Sequence, residues 1–245
     1  MNTVRVMIMR SELTAAHARQ FAKWARAYGD GSLVFTARQN IQIRFVPDDK
    51  VAALLGEIRA AGFVTEGHER LPDMVACVGT TQCNLAVSDT PNTYRQLYAE
   101  LASDKAFWEK VGQLRIHMNG CPNSCAQHWI ADIGLRGMRK ENEKGSEEGF
   151  TICIGGSLSG PGHIGQSVCD VPATAVVPTV RRMLELYVEQ RTGAEETFGA
   201  YARRIGAARM AELLGVVPAP PEPVNERNQR MQRAFDEALS ETSPW

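Results

Sequence analysis

Four cysteines constrain this chain more than any other feature. Cys77 and Cys83 form a C-x5-C pair within Ala-Cys-Val-Gly-Thr-Thr-Gln-Cys-Asn-Leu-Ala. Cys121 and Cys125 form a C-x3-C pair within Met-Asn-Gly-Cys-Pro-Asn-Ser-Cys-Ala-Gln-His. Four thiolates can fill the coordination of a [4Fe-4S] cluster, so the fold has to bring two distant loops together. Zinc is a second reading, but its sites favour C-x2-4-C pairs and the x5 spacing is off that pattern. Buried core thiols are the third reading. Against it stand the Gly, Pro, Asn and Gln neighbours, a poor composition for a core strand. Cys153 alternates with Ile152 and Ile154 in a strand-like run, and Cys169 has no special context, so both read as structural.

The remaining bulk properties narrow the class. A net charge of -1 over 245 residues argues against a nucleic-acid binder that works through a basic surface. No apolar run reaches the roughly 18 residues of a membrane span. The stretch Met1-Asn2-Thr3-Val4-Arg5 carries no signal-peptide pattern, so a cytoplasmic location is expected. In a reducing compartment six cysteines read as ligands or buried thiols rather than disulfides.

Periodicity divides the chain into an α+β unit over residues 1–66, a second α+β domain over 67–215, and a linker and tail over 216–245. Val4, Val6 and Ile8 alternate as a first strand. Leu13-Thr14 marks a helix start and Gly29-Asp30-Gly31 its stop. A second strand over 33–36 and a third through Ile41, Ile43 and Phe45 follow. Asp48 or Asp49 can cap a helix that Gly62 ends. Strand, helix, two strands and helix make a unit of ferredoxin-like type.

In a strand running from residue 37 to 45, Arg38, Asn40, Gln42 and Arg44 would share one face. Two arginines and two amides suit a polyanionic ligand, and an ordinary solvated face is the alternative. Farther on, Leu114, Ile116 and Met118 alternate with Arg115, His117 and Asn119, again setting polar groups opposite an apolar face, just before Cys121. Pro91 opens a helix, Pro122 a helical turn, and the run 139–148 reads as a charged loop. A Gly-rich loop follows Gly155-Gly156, and two long helices and a Pro218–Pro223 linker come after it.

These residues carry a resemblance. Cys77-x5-Cys83, Asn119-Gly-Cys-Pro-Asn-Ser-Cys125, Gln127, Ala131-Asp132-Ile133-Gly134 and Thr36-Ala-Arg-Gln-Asn40 together resemble the siroheme-containing nitrite and sulfite reductases, over residues 1 to about 215. The resemblance implies that Cys77, Cys83, Cys121 and Cys125 hold a [4Fe-4S] cluster, with Cys125 also bridging to siroheme iron. It places Arg38, Arg115 and His117 at the substrate. Around the carboxylates of siroheme it sets Arg38, Gln39, Asn40, Gln42, Arg44 and Arg115, with Asn119 beside them. Arginine suits this work because it stays charged and binds oxyanions in a fork.

The implied reaction is six-electron reduction of nitrite to ammonia, slightly ahead of sulfite to sulfide. The electron donor would be a ferredoxin or a reductase subunit. Family members usually have two related halves, whereas this chain has one. It therefore reads as a homodimer or as one subunit of a split enzyme. Other readings are an electron-transfer or siroheme-binding subunit inactive alone, and a precorrin-3B synthase-like oxygenase. The cluster reading makes a first prediction. Anaerobically purified protein contains iron and acid-labile sulfide in equal amounts; stoichiometric zinc without iron contradicts it.

Overall fold

The structure, a computed structural model, describes residues 1–143 and 145–220. The chain opens with β1 (Asn2–Val6), α1 (Ala15–Tyr28), β2 (Leu33–Phe35), β3 (Ile41–Val46) and α2 (Asp48–Ala60). These form an antiparallel sheet in the order β1-β3-β2 with both helices against it. The fold is α+β, ferredoxin-like at its N-terminal end, as the sequence leads one to expect. Thr14 caps α1 by accepting from the His17 amide (3.1 Å). Phe21 and Trp24 of α1 and Leu54 and Ile58 of α2 meet Val6, Ile41 and Ile43 in a fully buried core.

Three local expectations fail here. Pro47, not an aspartate, holds the cap position of α2, while Asp48 and Asp49 lie in its first turn facing the positive end of the helix. Phe45 is 56% exposed rather than buried, because its left-handed backbone (φ 56°) interrupts the alternation and Val46 turns inward instead. Residues 36–40 are a turn between β2 and β3, not strand. Thr36 accepts from the Gln39 amide and Gln39 is left-handed at φ 63°. Arg38, Asn40, Gln42 and Arg44 therefore do not share one strand face.

The second sheet has five strands in the order β4-β5-β6-β7-β8. They are β4 (Val75–Ala76), β5 (Ile116–Asn119), β6 (Ile133–Asn142), β7 (Gly145–Ile154) and β8 (Gln166–Pro172). The first three are parallel and the last three antiparallel. Helices α3 (Thr90–Leu97), α4 (Lys105–Val111), α5 (Val176–Gln190) and α6 (Phe198–Leu214) supply the rest of a large apolar core. Pro91 sits in the first turn of α3, as its ring allows.

The expected charged loop at 139–148 is instead the far end of the β6–β7 ribbon, where Arg139 faces Glu148 and Lys140 faces Glu147. Opposite charges across a ladder favour pairing, so a charged run is no bar to strand. The space beside Gly156 is filled by the backbone of Trp129 and Ala131, which leaves no room there for a flat ligand. Pro218 bridges to Cys169 and the Ala219 amide donates to Val168, so the expected linker begins as an addition to the β8 edge. Its continuation from residue 221 lies outside the described residues. Cys153 and Cys169 are fully buried in β7 and β8. Among the described residues no helix is long and apolar enough to cross a membrane.

Two side chains of the 36–40 turn fasten the first sheet to the second. Asn40 is 3% exposed; its Oδ1 accepts from the Ile8 amide (3.1 Å) and its Nδ2 donates to Asp73 (2.8 Å). Gln39 Nε2 donates to the Ala76 carbonyl (2.9 Å) and its Oε1 accepts from the Ala76 amide (3.2 Å). The Gln39 amide thus takes the place of a neighbouring strand for β4, one residue before Cys77. Replacing Asn40 with Ala strands a buried amide and a buried carboxylate. Urea unfolding should show a loss of about 1–3 kcal/mol; an unchanged midpoint would mean that the joint is solvated.

Candidate functional site

The cysteine pairs follow β4 and β5, which run parallel, so both leave the same edge of the sheet. Cys77 follows β4 directly and donates its amide to the Met118 carbonyl (3.0 Å). Gly120 separates β5 from Cys121, and its amide lies 3.1 Å from Cys77 Sγ. A second amide, that of Gly79, reaches the same sulfur at 3.4 Å. Two N–H groups thus point at one sulfur. The carbonyl of Gly120 accepts from Val87 and Ser88, locking the first cysteine loop onto the second.

None of the six cysteines is in a disulfide. Cys121 is buried, Cys77 and Cys83 are partly buried and Cys125 is exposed. Among the described residues no three His, Cys, Asp or Glu side chains group tightly enough to share a single metal ion. In a cube each iron takes one thiolate, so the sulfurs need not converge on one point. The donor set fits that group: four free cysteines on two interlocked loops, one of them already bonded by amides. Residues 121–125 are turns rather than the helical turn expected at Pro122. Ser124 and Gln127 adopt left-handed conformations (φ 57° and 58°), and a 3-10 turn starts only at His128.

The polar face of β5 is buried rather than solvated. Asn119 is wholly buried and shapes the cysteine loop: its Oδ1 accepts from the Ala126 amide (2.6 Å) and its Nδ2 points at His128 Nδ1 (3.0 Å). The amide orientation makes His128 Nδ1 an acceptor and puts its proton on Nε2. Ser124 Oγ lies 3.0 Å from the same Nδ1. His117 has the opposite tautomer. Its Nδ1 meets the Gln127 carbonyl (3.2 Å), which can only accept, so Nε2 is bare. Neither Nε2 has a hydrogen-bond partner, and both atoms are buried.

Burial pushes both imidazoles down, to about 4. For His117 the bond to Gln127 opposes this shift, while the positive charges of Arg38 and Arg115 reinforce it. For His128 the charges of Arg136 and His117 add to burial. His117 is therefore neutral near pH 7.

Arg38, in the turn after β2, and Arg115, just before β5, thus both bear on the charge of His117. Each arginine is held by a carboxylate. Arg115 donates from its backbone (2.8 Å) and from Nε (3.2 Å) to Oδ2 of buried Asp132. Burial raises the pKa of Asp132 and Arg115 opposes that rise. Arg38 Nη2 pairs with the more exposed Glu69 (3.0 Å), and its Nη1 is buried without a partner.

The other expected ligand-binding residues divide. Gln39, Asn40 and Asn119 direct their polar groups into the scaffold. Gln42 lines a cleft of about 550 Å³ with Arg5 and His68. Arg44 lies over the exposed Phe45 ring, 5.7 Å from its centroid. Asp73, Glu69, Asp132, Ser124 and His128 were not legible as site residues. Asp73, Glu69 and Asp132 take partners 17 or more residues away, Ser124 and His128 pair across the cysteine loop, and no local periodicity marks any of them.

Known proteins can now be set beside this geometry. Residues 1–61 match the nitrite/sulfite reductase ferredoxin-like half domain, and residues 68–218 match the nitrite and sulphite reductase 4Fe-4S domain. The chain belongs to the nitrite and sulfite reductase family. It is 30% identical over 203 residues to the ferredoxin–nitrite reductase of Synechococcus elongatus, covering 83% of this chain and 37% of that enzyme. It is 29% identical over 209 residues to the ferredoxin sulfite reductase 2 of Mycolicibacterium paratuberculosis, covering 83% and 38%. The structure of the Mycobacterium tuberculosis NirA protein shares the fold, with a TM-score of 0.73 at 24% identity over 85% of this chain and 39% of that one.

This member of the nitrite and sulfite reductase family therefore spans well under half the length of the curated relatives it matches. The family is one of oxidoreductases, and its cofactor set, a [4Fe-4S] cluster with siroheme, is the one expected from the sequence. The buried histidines add a prediction about pH. Their folded pKa lies below the unfolded value of about 6.5, so the unfolded chain binds more protons between the two. Their stabilisation is present above pH 6.5 and is lost as pH falls towards 4. Replacing His117 with Gln should flatten part of that slope in urea unfolding measured across this range; an unchanged slope would mean that His117 titrates normally in the folded state.

Proposed function

We propose that the chain reduces a small oxyanion with siroheme and a [4Fe-4S] cluster, nitrite to ammonia in preference to sulfite to sulfide. What supports this reading is that the charges of Arg38 and Arg115 both bear on buried His117, whose strand leads into the loop of Cys121 and Cys125. A six-electron reduction needs electron storage that no side chain has, and the bound cofactors supply it. The four cysteines would hold the cluster, with Cys125, the most exposed of them, also turned to siroheme.

The chain's own part is to hold and neutralise anions. Arg115 is fixed in place by Asp132, and Arg38 presents a buried unpartnered N–H. Both can bind an oxyanion and oppose the negative charge that develops on it. At neutral pH His117 offers a bare Nε2 that can accept a hydrogen bond from a protonated ligand or a water. Gln42 and Arg44 remain candidates for the cofactor's carboxylates. The preference for nitrite rests on relatives of nearly equal identity, 30% against 29%.

Those relatives are named for ferredoxin, which makes a ferredoxin the proposed donor. The proposal includes a division near residue 66, a cytoplasmic location, and assembly as a homodimer or with a second subunit. An electron-transfer or siroheme-binding subunit inactive alone is the second reading. Visible spectra of protein co-expressed with siroheme synthesis distinguish the two. Siroheme bands that shift with nitrite and turn over with a reductant support the reductase, and bands that ignore both anions support the carrier. Replacing Arg38 with Ala should lower turnover roughly tenfold to a hundredfold, as for loss of a charged hydrogen bond, and Lys should restore only part. Wild-type turnover in the Ala variant would remove Arg38 from the site.

A further inference from the structure

The two arginines are held in different ways. Asp132 is buried, takes both the backbone and the side chain of Arg115, and cannot leave without stranding an amide. Glu69 holds Arg38 through one oxygen only, and its side chain is 41% exposed. Its other oxygen accepts from Gln113 Nε2 (3.1 Å). The backbone of Glu69 is pinned: its amide donates to Asp73 Oδ2 (3.0 Å), its carbonyl accepts from Leu114, and its φ is 56°. Only the side chain of Glu69 is free to move. When it lets go of Arg38 it keeps Gln113 and water, so no buried charge is stranded.

We infer that Glu69 is a resident counter-ion for Arg38 that an incoming oxyanion displaces. The inference rests on the reading of Arg38 as an oxyanion ligand and adds a competitor to it. The guanidinium is satisfied on one side by Glu69, while its buried Nη1 has no partner. A small anion has to share or take over the guanidinium, and it feels the repulsion of the carboxylate as it does so. Glu69 thus sets how tightly anions bind and favours ligands able to compete with a carboxylate. Gln113 is the second part of the device, because it gives the carboxylate another place to rest.

Competition and simple positioning predict opposite signs. If Glu69 competes, Glu69→Gln keeps the shape and an oxygen acceptor but removes the charge, and anions bind more tightly. If Glu69 merely positions Arg38, the same change weakens binding. The measurement is the dissociation constant of nitrite from the oxidised holoprotein, read by titration of the siroheme absorption without turnover. Glu69→Gln should tighten it by about two- to fivefold, the range for an exposed ion pair. Gln113→Ala should weaken it, because the carboxylate then has only Arg38.

Arg38→Ala separates the two levels of the claim. Weaker binding in that variant together with unchanged or weaker binding in Glu69→Gln overturns the counter-ion and leaves Arg38 as ligand. Unchanged binding in Arg38→Ala removes the Arg38 reading and the counter-ion with it. Should Glu69→Gln fail to fold, the sign of the Gln113→Ala effect decides: weaker binding supports the competitor, and equal or tighter binding overturns it.

Discussion

Gly120 occupies a place where no side chain fits. A Cβ there would meet the Ser88 carbonyl oxygen at 2.7 Å, the Ala86 methyl at 3.0 Å and the Gly79 Cα at 3.1 Å. The two cysteine loops can therefore lie backbone to backbone, with the Gly120 amide on Cys77 Sγ and its carbonyl taken by Val87 and Ser88. Gly137 of β6 packs on Gly120 from the neighbouring strand, again where a side chain would clash. Close approach of backbone to backbone is a use of glycine that no other residue can fill. It lets thiolates far apart in sequence share one cofactor, because β4 and β5 end at the same edge and their loops then touch.

The rest of the site is built outward from that contact. Gln39 pairs with the peptide of Ala76 and Asn40 with Asp73, so the turn carrying Arg38 is tied to the strand that ends in Cys77. Asp132 ties Arg115 to the residue that precedes β6. Both arginines then act on His117, whose imidazole burial keeps neutral. The electrostatic design has one rigid cation and one releasable cation around a neutral acceptor. On the proposed reading an anion enters without a rearrangement of the core, because the carboxylate that yields, Glu69, is the more exposed of the two.

Much of this was legible in the sequence, and the failures have physical causes. The cysteine spacing, the helix starts at Thr14 and Pro91 and the apolar alternation around Ile116 marked elements that the structure contains. Arg38 to Arg44 misled because a polar-apolar alternation continues through a turn; the left-handed Gln39 breaks the strand, and nothing in the pattern distinguishes that. Asn40 and Asn119 read as ligand-binding amides, yet each is a buried joint. Asp73, the partner of Asn40, is 33 residues away, and the partners of Asn119 are brought to it by the turns at Ser124 and Gln127. The charged run 139–148 read as loop because hydrophobic periodicity is the main local signal, whereas its ribbon is held by backbone pairing and cross-strand charge. His128 and Glu69 had no local signal.

The account claims above all that a residue of the turn between β2 and β3 and a residue of β5 act on one ligand. A double-mutant cycle tests this directly. Nitrite affinity of the oxidised holoprotein would be measured for the wild type, Arg38→Ala, His117→Gln and the double variant. Groups that share a ligand or touch each other couple by about 0.5–3 kcal/mol, whereas independent sites add within about 0.3–0.5 kcal/mol. The account predicts coupling in the first range. Strict additivity would show that Arg38 and His117 act at separate places, and would contradict a single anion site formed where the two sheets meet.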